Sequence, residues 1–103
     1  MSGPLEEIDY KTVPGSNKDR RLRLYALSTC AFCKKAMTYL EEQGYEFQYI
    51  YLDQIDIDLK REAKKELKST YENIPVFPIL TIDDSDAISG FIETKWAERL
   101  GVE

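Results

Sequence analysis

Both cysteines of this chain stand in one tetrapeptide, Cys30-Ala31-Phe32-Cys33, at the junction of a strand-like run and a helix-like one. Upstream, residues 21–27 (Arg-Leu-Arg-Leu-Tyr-Ala-Leu) alternate polar and apolar side chains and then turn apolar, the pattern of a strand. Downstream, Ala36, Met37 and Leu40 share one helical face over residues 30–43, and Gly44 closes the run. Ser28 and Thr29 at the junction are both good helix caps. Residues 46–52, with Phe47, Tyr49, Ile50, Tyr51 and Leu52, form a second β-rich run. Strand, helix and strand joined by short loops imply a parallel pair with a right-handed crossover.

Helical spacing returns over residues 56–70, where Leu59, Ala63 and Leu67 recur among lysines and glutamates that form a solvated face. Residues 76–82 read as a third strand with Pro78 near its start. Asp83-Asp84-Ser85-Asp86 is a turn into a short fourth strand, residues 87–89, making a hairpin. A last helix over residues 92–100 turns Ile92, Trp96 and Leu100 inward. Residues 1–20 are polar and turn-rich, broken at Pro14-Gly15-Ser16-Asn17, with room for an edge strand at Ile8, Tyr10 and Val13. The reading is thus an N-terminal extension, 1–20, and one α/β unit, 21–103, in the order βαβ-α-ββα. A four-stranded mixed sheet flanked by helices follows, with an extra N-terminal strand as an option.

At 103 residues the chain suits one domain able to bury its own core. A net charge of −5 argues against nucleic acid and anionic membrane surfaces as partners. The first residues, Met1-Ser2-Gly3-Pro4-Leu5-Glu6-Glu7, lack the basic start and apolar core of a signal peptide. No apolar stretch approaches the roughly 20 residues of a membrane span. The expected setting is the cytoplasm, where a Cys-x-x-Cys pair is more often reactive than a structural disulfide.

Three chemistries fit the pair. Zinc normally takes four ligands, and two cysteines with no histidine supply that set only across a dimer. Two thiols buried as small core residues are the plain alternative. Dithiol redox chemistry fits the placement best. A helix start offers Cys30 unpaired N–H groups and the positive dipole end, which favour a thiolate nucleophile. Cys33, a turn further on, is positioned to resolve a mixed disulfide. Phe32 shields the pair or offers an apolar contact, and Lys34 and Lys35 either add positive potential or are ordinary exposed lysines.

With these residues in place, the chain resembles the glutaredoxin family of the thioredoxin-like fold over residues 22–100. The resemblance rests on Ser28-Thr29-Cys30-Ala31-Phe32-Cys33, on Phe77-Pro78-Ile79-Leu80 and on Ser89-Gly90-Phe91, in that order. It implies a thiol–disulfide oxidoreductase acting on disulfide-containing proteins or small thiols. Catalysis falls to Cys30 and Cys33, with no bound cofactor and glutathione, or another thiol, as co-substrate. It implies a cis bond before Pro78, with Pro75 the competing candidate, and a Phe77 backbone that pairs with an extended substrate. Gly90 and Phe91 are expected to offer N–H groups to a carboxylate. Thr29, Phe32, Phe77, Pro78, Gly90 and Phe91 are therefore the expected substrate contacts, and a monomer is expected.

The sequence departs from the family at three glutathione contacts. Leu27 replaces the usual lysine, Ser89 replaces the first glycine of the turn, and Ile92-Glu93 fills the acidic stretch. These changes favour as alternatives another low-molecular-weight thiol or a flavin-dependent protein reductase as electron source. An iron–sulfur carrier, bridging two subunits through the first cysteine of each, is a second class, disfavoured by bulky Phe32. A binding module with incidental thiols is a third.

Overall fold

The strand read in residues 21–27 becomes the centre of the molecule. The computed structural model describes residues 8–18, 20–71, 76–83 and 86–100. Its strands are β1 (Lys11–Val13), β2 (Leu22–Ala26), β3 (Phe47–Tyr51), β4 (Ile79–Ile82) and β5 (Asp86–Ser89). Its helices are α1 (Ala31–Glu42), α2 (Ile57–Thr70) and α3 (Glu93–Leu100), with a 3-10 helix at Leu52–Gln54. One mixed sheet runs β1-β3-β2-β4-β5. β2 is parallel to β3, with Leu24 opposite Tyr49, and antiparallel to β4, with Leu24 opposite Leu80. β4 and β5 form the expected hairpin, and β1 takes the optional N-terminal place, antiparallel to β3. This is the α/β thioredoxin-like architecture.

Every residue of β2 is buried, as a central strand covered on both faces requires. Leu22, Leu24 and Ala26 meet Ala36 and Leu40 of α1 and Trp96 and Leu100 of α3 on one face. Tyr25 points to the other face, where it joins Ile50, Ala63, Leu67 and Ile79 beneath α2. Each fully buried leucine contributes about 1.5–3 kcal/mol. The two cores fix α1 and α3 on one side of the sheet and α2 on the other.

Local chemistry sets the ends of the helices. Asp56 caps α2 by accepting the N–H groups of Asp58 (3.1 Å) and Leu59 (3.2 Å). Gly44, at φ +77°, closes α1 in a left-handed conformation that costs glycine nothing.

Three expectations are corrected. β4 starts at Ile79, three residues later than the apolar run suggests, because Pro78 has no N–H for the ladder and Val76 is bonded elsewhere. Neither Ser28 nor Thr29 caps α1; Cys30 does. Ile92 precedes α3 and is 53 % exposed rather than turned inward. Pro75 and the turn residues Asp84 and Ser85 lie outside the described residues.

Candidate active site

The strand directions bring four connecting segments to one end of the sheet. β2 and parallel β3 both leave there, into the turn 27–30 and the 3-10 helix. Antiparallel β4 enters there after Val76-Phe77-Pro78, and β5 ends there before Gly90. The ends of strands where connections diverge are where α/β sheets carry their ligands. Phe32, Ile57, Val76 and Ile92, the exposed large hydrophobics among the described residues, all belong to segments at this end.

Cys30 closes the turn 27–30, its N–H donating to the Leu27 carbonyl at 3.1 Å. It then acts as the N-cap of α1: its Sγ accepts the Cys33 N–H at 3.2 Å, and its carbonyl accepts the Lys34 N–H at 3.3 Å. The Cys30 sulfur therefore sits at the start of α1 in contact with a peptide N–H. Cys30 is half-buried, whereas Cys33 is fully enclosed. Burial pushes the Cys33 thiol up to about 12, and its contacts with Cys30 and the Asp53 charge act in the same direction. One accessible sulfur and one hidden, neutral thiol thus stand a helical turn apart.

The turn before Cys30 is gripped from outside. The Ser28 N–H donates to Asp53 Oδ1 at 2.9 Å, and the Ser28 hydroxyl donates to Asp53 Oδ2. Those two bonds, hydroxyl first, hold the Asp53 carboxyl below the usual range, with Lys60 adding to the effect. This explains why Ser28 is not a helix cap. Sequence spacing gave no sign of the contact, since 25 positions separate the partners.

The Phe77–Pro78 peptide bond is cis and Pro78 is buried. Phe77 touches both cores. Its backbone N–H and C=O take no partner among the described residues. Lys64 of α2 lies over the Phe77 ring at 5.8 Å, and Lys35 over the Phe32 ring at 5.3 Å. Ser89, at the position of the family's first glycine, puts its hydroxyl to use. The hydroxyl accepts the Val76 N–H at 3.0 Å and donates to the Val76 carbonyl at 2.6 Å, pinning the segment before Pro78.

Gly90 sits at φ +75°, and a Cβ there would lie 3.2 Å from Val76 Cγ2. Its N–H donates to the Pro78 carbonyl at 2.8 Å, so that amide is occupied within the fold. Its carbonyl accepts Trp96 Nε1–H at 2.9 Å. The Phe91 amide takes no partner among the described residues. Phe91 stacks edge-on against Trp96 (5.0 Å) and leans on Tyr39 (5.7 Å). Between α1 and α3 lies an open cavity of about 370 Å³, lined by Lys34, Lys35, Thr38, Tyr39, Phe91 and Glu93 among others. Leu27, where the family carries a lysine, packs against the core under α2 and brings no charge. Thr29 is exposed beside the pair.

Among the described residues no three His, Cys, Asp or Glu side chains gather as a metal set. None of the described helices is long and apolar enough to cross a membrane.

Comparison with known proteins agrees with this geometry. The glutaredoxin family model matches residues 22–86. The glutaredoxin from Methanosarcina mazei Go1 is 34 % identical and superposes with a TM-score of 0.78, over 89 % of this chain and 87 % of that one. The methanoredoxin of Methanosarcina acetivorans is also 34 % identical, with a TM-score of 0.70 over 79 % and 84 % of the two chains. A buckwheat glutaredoxin–glutathione complex, 20 % identical with a TM-score of 0.62 over 82 % and 74 %, shares the fold. A search of curated protein sequences returned no match. Family, fold and thiol pair point the same way: the chain belongs to the glutaredoxin family, as a thiol–disulfide oxidoreductase with its redox pair at Cys30 and Cys33.

Proposed function

We propose that Cys30 is the nucleophile and Cys33 the resolving thiol of a dithiol reduction of protein or low-molecular-weight disulfides, with glutathione as the reductant. The observation that carries the assignment is the contrast between the two sulfurs. Cys30 is accessible and takes the Cys33 N–H, whereas Cys33 is enclosed and kept neutral. The Cys30 thiolate attacks a substrate disulfide, forming a Cys30–substrate bond and releasing one substrate thiolate, which takes up a proton. Cys33 then loses its proton and attacks the Cys30 sulfur, releasing the second substrate thiolate. The product is the Cys30–Cys33 disulfide, and two equivalents of glutathione return it to the dithiol as glutathione disulfide forms.

Phe77, whose N–H and C=O take no partner among the described residues, is the backbone that pairs with an extended substrate segment, as in strand addition. Phe32, Pro78 and Thr29 are the further substrate contacts in this reading, Thr29 next to the nucleophile in sequence. The Phe91 amide, at the start of α3, suits a carboxylate of the bound thiol; Gly90 shapes the turn that presents it. Residues 21–103 form the working unit in this reading, with residues 1–20 as an extension, and the cytoplasmic glutathione pool supplies the electrons.

A second reading, that another small thiol or a protein reductase is the donor, is favoured by Leu27 and Ser89. Leu27 brings no cation, and the Ser89 hydroxyl is spent on Val76. The test is NADPH consumption with a small glutathione mixed disulfide, coupled through glutathione and glutathione reductase. Fast turnover that disappears in Cys30→Ser is the expected result. No turnover in a protein whose Cys30–Cys33 disulfide dithiothreitol reduces readily would refute glutathione and favour the second reading.

A further inference from the structure

We propose that Asp53 is a positioning residue for the nucleophile, acting through the two hydrogen bonds by which it holds Ser28 and hence the turn 27–30. The inference rests on the assignment of Cys30 as nucleophile. Cys30 owes its place at the start of α1 to a turn of four residues. Such turns at a strand end are the most easily deformed part of a sheet protein. Here the turn is tied by main chain and side chain together to a carboxylate on a different element, the 3-10 helix that follows β3. β3 is the parallel neighbour of β2, and four matched residue pairs link the two strands. Asp53 therefore transfers the rigidity of the central ladder to the loop that carries the thiol.

Two roles of the carboxylate act in opposite senses. As a negative charge it is among the causes that raise the Cys33 thiol. As a clamp it keeps Cys30 at the start of α1, where its sulfur accepts the Cys33 N–H. The sign of the effect on reactivity therefore separates clamp from charge.

The experiment is the second-order rate constant for alkylation of Cys30 by iodoacetamide at pH 7. Labelled sites are mapped by mass spectrometry in the full chain, in Ser28→Ala, in Asp53→Asn and in the double variant. Asp58→Asn, which removes an equal charge from the exposed start of α2, serves as control. Each single variant is expected to slow alkylation about three- to tenfold, the size of a lost charge-assisted hydrogen bond at a partly exposed site. The double variant should be no slower than the slower single one, since both changes act on the same bond from the Ser28 hydroxyl to the Asp53 carboxylate, while the Ser28 N–H stays in every variant, and the control should match the wild type. Faster alkylation in Asp53→Asn would mean that only the charge matters, and would overturn the proposal. Unchanged rates with a lowered melting temperature would reduce Asp53 to fold support and overturn it equally, as would effects that multiply in the double variant. A wild-type Cys30 that reacts no faster than Cys33 would remove the nucleophile assignment and this proposal together.

Discussion

Trp96→Phe tests whether the turn beside the redox pair is held from the core. Trp96 is fully buried, donates Nε1–H to the Gly90 carbonyl at 2.9 Å and meets Phe91 edge-on at 5.0 Å. Phenylalanine keeps an aromatic edge for Phe91 but removes the indole N–H and one ring of packing. The lost hydrogen bond costs about 0.5–1.5 kcal/mol if water replaces the donor, and about 1–3 kcal/mol if it cannot. The part-buried site favours the lower range. Partial collapse around the missing ring adds about 1–2 kcal/mol, since full truncation to alanine costs about 3–5 kcal/mol. The total is about 2–3 kcal/mol, which lowers the melting temperature by about 10–20 °C. A domain with about 5–15 kcal/mol of stability remains folded at 25 °C, so kinetics can be measured on native protein. Loosening the Gly90–Phe91 turn should raise KM for the small-thiol substrate about threefold or more while kcat stays within about twofold. Urea denaturation followed by circular dichroism and the coupled NADPH assay read both effects. A loss under about 0.5 kcal/mol together with an unchanged KM would refute the view that Trp96 holds this turn.

Cys33→Ser should accumulate a Cys30–substrate mixed disulfide, visible as an added mass in intact-protein spectrometry; free release of substrate would contradict the resolving role. The neutral Cys33 thiol, raised from near 9 to about 12, stabilises the reduced fold fully below pH 9, and this contribution is lost as pH rises toward 12. The urea midpoint of the reduced protein should therefore fall across that window relative to that of Cys33→Ser, which keeps every other titrating group, Cys30 included. Gly90→Ala forces a β-carbon onto a φ of +75° and against Val76, and should cost about 1–2 kcal/mol in urea denaturation.

The parts that follow from periodicity were legible in the sequence. The alternation around Leu22 and Leu24, the helical stripe through Ala36 and Leu40 and the spacing of Ala63 and Leu67 all depend on neighbours along the chain, and the sheet buries each of them. The thiol pair was legible because both sulfurs lie within four residues at a change of period. What could not be read depends on partners far apart in sequence. Ser28 looks like a helix cap until Asp53, brought alongside by the parallel pairing of β2 and β3, captures it. Ser89 looks like a missing glycine until the hairpin places it beside Val76. Apolar character continues back through Val76 and Phe77 while the hydrogen-bond ladder does not, so the strand is shorter than the 76–82 run that suggests it. Ile92 fits a helical stripe by spacing, but the helix begins after it.

The sheet is bounded by strands of three and four residues. β1 ends the sheet with Lys11 and Thr12 exposed, and β5 carries Asp86, whose carboxylate accepts Arg99 Nε–H at 3.1 Å. Short, charged borders are how sheets avoid pairing with copies of themselves. Between β1 and the centre lies β3, whose Phe47, Tyr49 and Tyr51 form a row of rings in tilted and edge-on contact. Such a strand would template self-association if it stood at the edge. The three residues at Lys11–Val13 thus cover the outer side of that aromatic strand. A version of the chain beginning at residue 18 should keep its thiol chemistry yet elute as higher-order species on size-exclusion chromatography as its concentration rises.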